Sequence, residues 1–288
     1  MTPWQTCTWA IHSAALVAAA VLSGAAHAEG HGPVFGLATP TLGKGQWSSD
    51  TAVMQITTAE GTRYMARETI GYGVTGDVQA NLSVPLGRGG DALTRAPRTR
   101  LGAMMGSFGD IEASLFWRAH RVAPAVGTRY ETTLILGAAT PTEQRRAGVK
   151  VGPSVHLGLV TGYASRSVYW WLGGGLQRYF ADGADRLGDL GYVSAVLGYR
   201  PPFFRRDYPN PDWRIFIEAL GERAQRDQIS GSENPDSGGE KLLVGPSLLG
   251  LYGKWGISGG VLFPVRQRLN GAQPEERFRA KFVLTYWF

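Results

Sequence analysis

Cysteine is almost missing from this chain of 288 residues: Cys7 is the only one. It lies in residues 1–28, which read as a cleavable leader, so the remaining chain is expected to hold no disulfide and no thiolate metal ligand. Histidine is scarce as well. Beyond residue 28 only His31, His120 and His156 remain, too far apart for any transition-metal spacing, and no metal or other cofactor is expected. No later stretch stays apolar over the roughly 20 residues that a membrane helix needs. If the chain lives in a membrane, it must therefore cross it as a closed barrel, because lipid offers no partner to an unpaired backbone amide. Residues 1–28 also lack charge, so the net charge of +6 belongs to the rest of the chain.

The leader reading rests on a short apolar run, Ala14 to Leu22, followed by Ala26-His27-Ala28, an A-x-A cleavage site. It departs from the usual pattern in having no Lys or Arg before the apolar run. The alternative is a buried N-terminal helix. A sequence pI of about 9.5 raises the question of nucleic acid. The basic residues are dispersed, and an exported chain does not meet nucleic acid, so no such partner is expected.

What is present speaks most clearly at the C-terminus. In Arg277 to Phe288, the residues Phe278, Ala280, Phe282, Leu284, Tyr286 and Phe288 share one strand face. Arg277, Arg279, Lys281, Val283, Thr285 and Trp287 share the other. Strand side chains alternate with a period of two, so one face suits lipid and the other a polar lumen. The ending on Phe282, Leu284, Tyr286 and Phe288 resembles the C-terminal signal of bacterial outer-membrane barrels, which implies the barrel-assembly machinery as a partner.

Twelve strand-length segments follow a lead-in, at 46–58, 62–74, 77–86, 109–121, 129–139, 150–163, 167–180, 188–200, 212–225, 240–253, 255–267 and 276–288. The expectation is an all-β, antiparallel up-and-down transmembrane barrel over 46–288, preceded by a periplasmic or lumenal lead-in over 29–45. Connectors alternate between short and long, with 201–211 the exception on the short side. Trp47, Tyr72, Trp117, Tyr130, Tyr163, Tyr169, Tyr199, Trp213, Trp255 and Tyr286 collect at the short-turn end, as amphipathic rings do at a membrane interface. One strand fits poorly: if Ile70 and Tyr72 face lipid, so does Glu68. Either that end stands above the membrane, or the boundary is wrong, or a bulge shifts the phase.

The lead-in from His31 to Trp47, with Tyr72-Gly-Val-Thr-Gly-Asp77 and Gly109-Asp-Ile-Glu-Ala-Ser114, resembles the proteobacterial outer-membrane family labelled "MetA-pathway of phenol degradation", or simply "transporter". The resemblance implies location in the Gram-negative outer membrane and passage of a small-molecule solute, in contexts of aromatic degradation or metal handling. It supplies no binding residues.

Two catalytic patterns are set aside. Gly71-x-Gly73-x-x-Gly76 lacks the following helix that a dinucleotide fold requires. Gly256-x-Ser258-x-Gly260 sits mid-strand and lacks the strand-to-helix turn of a nucleophile elbow. No enzyme is expected. By alternation, Arg67, Glu112, Arg118, His120, Arg214, Glu218, Glu222, Arg277, Arg279 and Lys281 point inward as pore-lining residues, with Arg277, Arg279 and Lys281 forming a cationic stripe. These charges either pair with one another inside a narrow barrel or leave a cationic excess for anionic or polar solutes. The leading expectation is a passive channel, narrowed by the lead-in and tuned by loop 87–108. The alternatives are a closed barrel whose long loops bind a partner and, further off, a membrane hydrolase.

Overall fold

The computed structural model describes residues 32–90, 110–142, 145–146, 149–206 and 210–288. The expected leader and most of loop 87–108 lie outside the described residues. Twelve strands form one closed barrel. In chain order they are β1 (Trp47–Thr58), β2 (Gly61–Gly73), β3 (Val78–Gly90), β4 (Asp110–Val122), β5 (Arg129–Pro141) and β6 (Ser154–Ala164). There follow β7 (Val168–Tyr179), β8 (Leu190–Tyr199), β9 (Asp212–Ala224), β10 (Gly239–Tyr252), β11 (Trp255–Leu269) and β12 (Glu276–Trp287). Each strand pairs antiparallel with its neighbours, and β12 closes on β1 from Ser48↔Trp287 to Thr58↔Glu276.

Alternation explains why these segments close into a barrel rather than stack as a sandwich. Leu82, Leu115, Leu136, Leu157, Leu172, Leu197, Ile217 and Phe282 lie on the outer wall and remain exposed. An apolar surface of this extent is stable only against lipid. Aromatic pairs ring the short-turn end, with centroids 4.5 Å apart for Trp47–Tyr72, 4.6 Å for Trp255–Tyr286 and 4.7 Å for Tyr130–Tyr163, but Tyr169, expected among them, turns inward and stacks on Trp171 at 5.8 Å. The long connector on this side folds around a 3₁₀ turn at Pro202–Phe204 and is tied back by Arg200 Nε donating to Asp212 at 2.6 Å.

At the other end the connectors after β7 and β9 interlock. Arg186 and Gln228 exchange backbone hydrogen bonds at 3.0 and 2.7 Å. Val151, Tyr179 and Leu187 form a small apolar cluster beneath them.

Two inward assignments are corrected by β-bulges. The pairing of β4 with β5 slips between Arg118 and His120, which turns His120 outward opposite Thr132. The pairing of β1 with β12 slips between Thr57 and Thr58, so Glu276 takes the lumenal place and Arg277 is exposed. A bulge adds one residue, and one residue is enough to exchange faces. Glu68 is different. The register of β2 against β1 runs unbroken from Trp47↔Tyr72 to Thr58↔Gly61, and Glu68 stays on the outer wall.

Candidate functional site

The lumen contains a piece of the chain itself. Residues 32–45 run inside the barrel, with Val34, Phe35, Leu37 and Leu42 buried. Gly45 N donates to Gly73 O at 2.7 Å at the short-turn end. Leu42 N then donates to Gln79 Oε1 at 2.8 Å. Further in, Thr133 Oγ1 donates to Thr39 O at 2.6 Å, and Thr39 Oγ1 donates to Glu131 Oε2 at 3.0 Å. Leu37 N donates to Ser194 Oγ at 3.1 Å.

The deepest anchor is Glu218 of β9, which is 0% exposed. Its carboxylate accepts Val34 N at 2.8 Å, Phe35 N at 2.8 Å and Gly36 N at 2.7 Å, together with the Ser247 hydroxyl. Three consecutive amides on one carboxylate form an anion nest built in reverse: the wall supplies the anion and the segment supplies the donors. Lys281 Nζ holds the same turn from the opposite side, donating to Val34 O at 2.8 Å. Close approach needs missing side chains. A Cβ on Gly36 would stand 2.5 Å from Val196 Cγ2, and one on Gly260 would stand 2.9 Å from Phe35 Cε2.

Beside the segment lies a cavity of about 150 Å³, whose wall includes Asp50, Gln79, Phe116, Lys281, Thr285 and Trp287. Toward the long-loop end the wall carries a charge cluster. Arg279, also 0% exposed, donates to Glu222 at 3.0 and 3.2 Å and to Glu276 at 2.9 and 3.1 Å. Lys241 Nζ lies 3.2 Å from Glu222 and 3.0 Å from Glu276. Two cations meet two carboxylates, so the cluster adds no net charge to the lumen.

The expected pore-lining residues therefore divide. Arg67, Glu112, Glu218 and Arg279 are buried inside the barrel. Arg118 is also inside, bridging Asp77 at 2.8 Å and Glu131 at 3.1 Å. Arg214 lies at the short-turn mouth, 3.4 Å from Asp212 and over the Tyr169 ring at 5.2 Å. Arg277 and His120 are outside. Of the stripe Arg277, Arg279 and Lys281, only the latter two face inward, and Arg279 is neutralised by its carboxylates. Sequence reasoning missed Lys241, Glu131 and Glu276. Lys241 has the parity of inward Leu243 and Leu249, but apolar residues on both faces of β10 hide that phase. His156 is inside the barrel as well, its Nε2 at 2.7 Å from the Tyr192 hydroxyl.

No protein-family model matches the chain, and no curated protein matches it. Solved structures do. An outer-membrane channel from Pseudomonas putida F1 superposes with a TM-score of 0.63 at 14% identity, over 87% of this chain and 98% of that one. The fold shared with it is the closed twelve-strand antiparallel barrel. The NanC porin follows at a TM-score of 0.50 and 6% identity, over 83% of this chain and 98% of its own. In this barrel the C-terminal residues Phe282, Leu284 and Tyr286 lie on the outer wall, and Phe288 N donates to Trp47 O at 3.1 Å across the closing seam.

Proposed function

We propose that the protein is a passive channel in the outer membrane of a Gram-negative bacterium, admitting small molecules past a segment of its own chain. The observation that carries this reading is the way residues 32–45 are held. Their polar anchors are hydrogen bonds that the segment's amides donate to wall side chains, each of which water can replace when the segment withdraws. In that reading the cavity of about 150 Å³ is the resting remnant of a wider path.

The solute class follows from charge. A recess of about 740 Å³ at the short-turn mouth is walled by Arg121, Arg129, Arg166, Arg200 and Arg214. Glu131 and Asp212 balance only part of these guanidinium groups. A cationic mouth of this kind favours anionic solutes. Aromatic acids combine that charge with the resemblance to the phenol-degradation family, and they are the solutes we infer. The C-terminal strand serves as the signal to the assembly machinery in the same reading.

A second reading is supported by the buried Arg279 cluster: a closed barrel whose interlocked long loops engage a partner. Planar-bilayer conductance separates the two. The channel reading expects ion current, increased when residues 29–45 are deleted. A correctly folded deletion variant that carries no current and no solute flux would leave the closed barrel standing. Uptake of an aromatic acid compared with a sugar and a metal ion tests the solute class.

A further inference from the structure

Outer-wall polarity is concentrated on one strip. From the aromatic ring upward, the outward residues of β3 are Val78, Ala80, Leu82, Val84 and Leu86, and those of β12 are Tyr286, Leu284, Phe282, Ala280 and Phe278. On the strands between them, the polar pair Thr132–Thr161 is closed on itself at 3.0 Å, and the outward His120 stands beside it next to the aromatic ring, not deep in the apolar band. On β1 and β2 the corresponding positions are Ser49, Thr51 and Glu68. Ser49 Oγ donates to Glu68 Oε1 at 2.5 Å, and Thr51 Oγ1 donates to Glu68 Oε2 at 2.6 Å. Glu68 stands four residues above Tyr72 along β2, which on a tilted strand is roughly 10 Å into the apolar band.

A carboxyl group facing lipid is costly, and such residues mark an interaction rather than a wall. Two hydroxyls fill part of its hydrogen-bonding capacity, since two carboxylate oxygens accept up to about four hydrogen bonds. Lipid tails supply none. Ser49, Thr51 and Ala66 beside it are small, with Val84 across on β3 and Ile70 next along β2 flanking it, and small residues let two surfaces approach closely within a membrane.

We propose that this strip is the contact between two copies of the chain. Every copy in a membrane carries its aromatic ring at the same height. A two-fold axis along the membrane normal therefore brings equal heights together, and Glu68 and its hydroxyls meet their own counterparts. The Ser49 and Thr51 hydroxyls can turn from their own Glu68 to that of the second copy, so the patch exchanges donors for acceptors across the axis. Once paired, it is removed from lipid. This inference goes beyond the channel reading and requires only that the barrel spans a membrane.

Cysteine cross-linking in membranes tests it, because the chain after Cys7 has no other thiol. Thr51→Cys is expected to give a dimer on oxidation. Leu157→Cys, exposed on β6 and five strands away, is expected to give none. The purified protein in mild detergent is expected to show twice the chain mass, Glu68→Leu to show the single-chain mass, and Glu68→Gln to retain the dimer. Heat-modifiable migration on gels establishes that each variant has formed its barrel. If Glu68→Leu does not fold, the cross-link alone decides. A single-chain mass for the unaltered protein with no Thr51→Cys dimer overturns the proposal. So does equal cross-linking from Leu157→Cys, or a Thr51→Cys product that contains only a different protein.

Discussion

Glu218 and Phe35 are 183 residues apart in sequence, yet the carboxylate of one accepts the backbone amide of the other at 2.8 Å inside the barrel. That contact makes residues 32–45 part of the lumen rather than a tail. Nothing covalent holds the segment to the wall beyond its own link to β1, which the channel proposal requires.

Glu218→Ala is expected to free the segment. It leaves the amides of Val34, Phe35 and Gly36 without their acceptor, at a cost of about 1–3 kcal/mol for each unsatisfied group. Single-channel current should rise, and protease should cut within 32–45 at a higher rate. Unchanged current and unchanged cleavage would show that Glu218 does not hold the segment.

Gly260→Val should give the same result without altering any charge. The added side chain would meet Phe35 Cε2 and Ser247 Cβ, the latter 2.6 Å from the Cβ position. A rise in current that matches Glu218→Ala would place the effect in the segment and not in lumenal charge.

Selectivity should distinguish two cations of the final strand. Lys281→Gln keeps a donor for Val34 O but removes a lumenal charge, and the anion-to-cation permeability ratio should fall severalfold. Arg277→Gln should leave the ratio unaltered, because the bulge turns Arg277 outward. Reversal potentials in a salt gradient measure both.

Arg279→Met should destabilise the barrel by roughly 3–5 kcal/mol, since it strands Glu222 and Glu276 in the interior with Lys241 alone. Adding Glu222→Leu should recover much of the loss. The temperature at which the folded band converts to the unfolded band on gels reads the difference.

Removing Tyr286 to Phe288 should lower the amount of folded protein in the membrane more than it lowers refolding in detergent, if the strand end is read by assembly machinery. Equal losses in both would assign those residues to closure of the seam with Trp47 alone.

The barrel was legible in sequence because its signal is local and repeated. Phe278 to Phe288 alternates, Val78 to Leu86 alternates, and a period of two survives wherever one wall meets lipid. Twelve strands, the face of Glu218 and the aromatic ring all follow from that period. What failed was phase across a bulge. His120 and Arg277 carry the right parity and stand on the wrong side, because one inserted residue is a property of strand pairing and not of either strand alone.

The sequence by itself therefore determined that the chain forms strands with one apolar face, and which end gathers the rings. Only the tertiary structure decided what fills the lumen. The three amides at Val34, Phe35 and Gly36 have no partner near them in sequence; a curved wall brings Glu218 to them. Whether Arg279 lends charge to a pore or is cancelled by Glu222 and Glu276 depends likewise on which strands the closing of the barrel sets side by side.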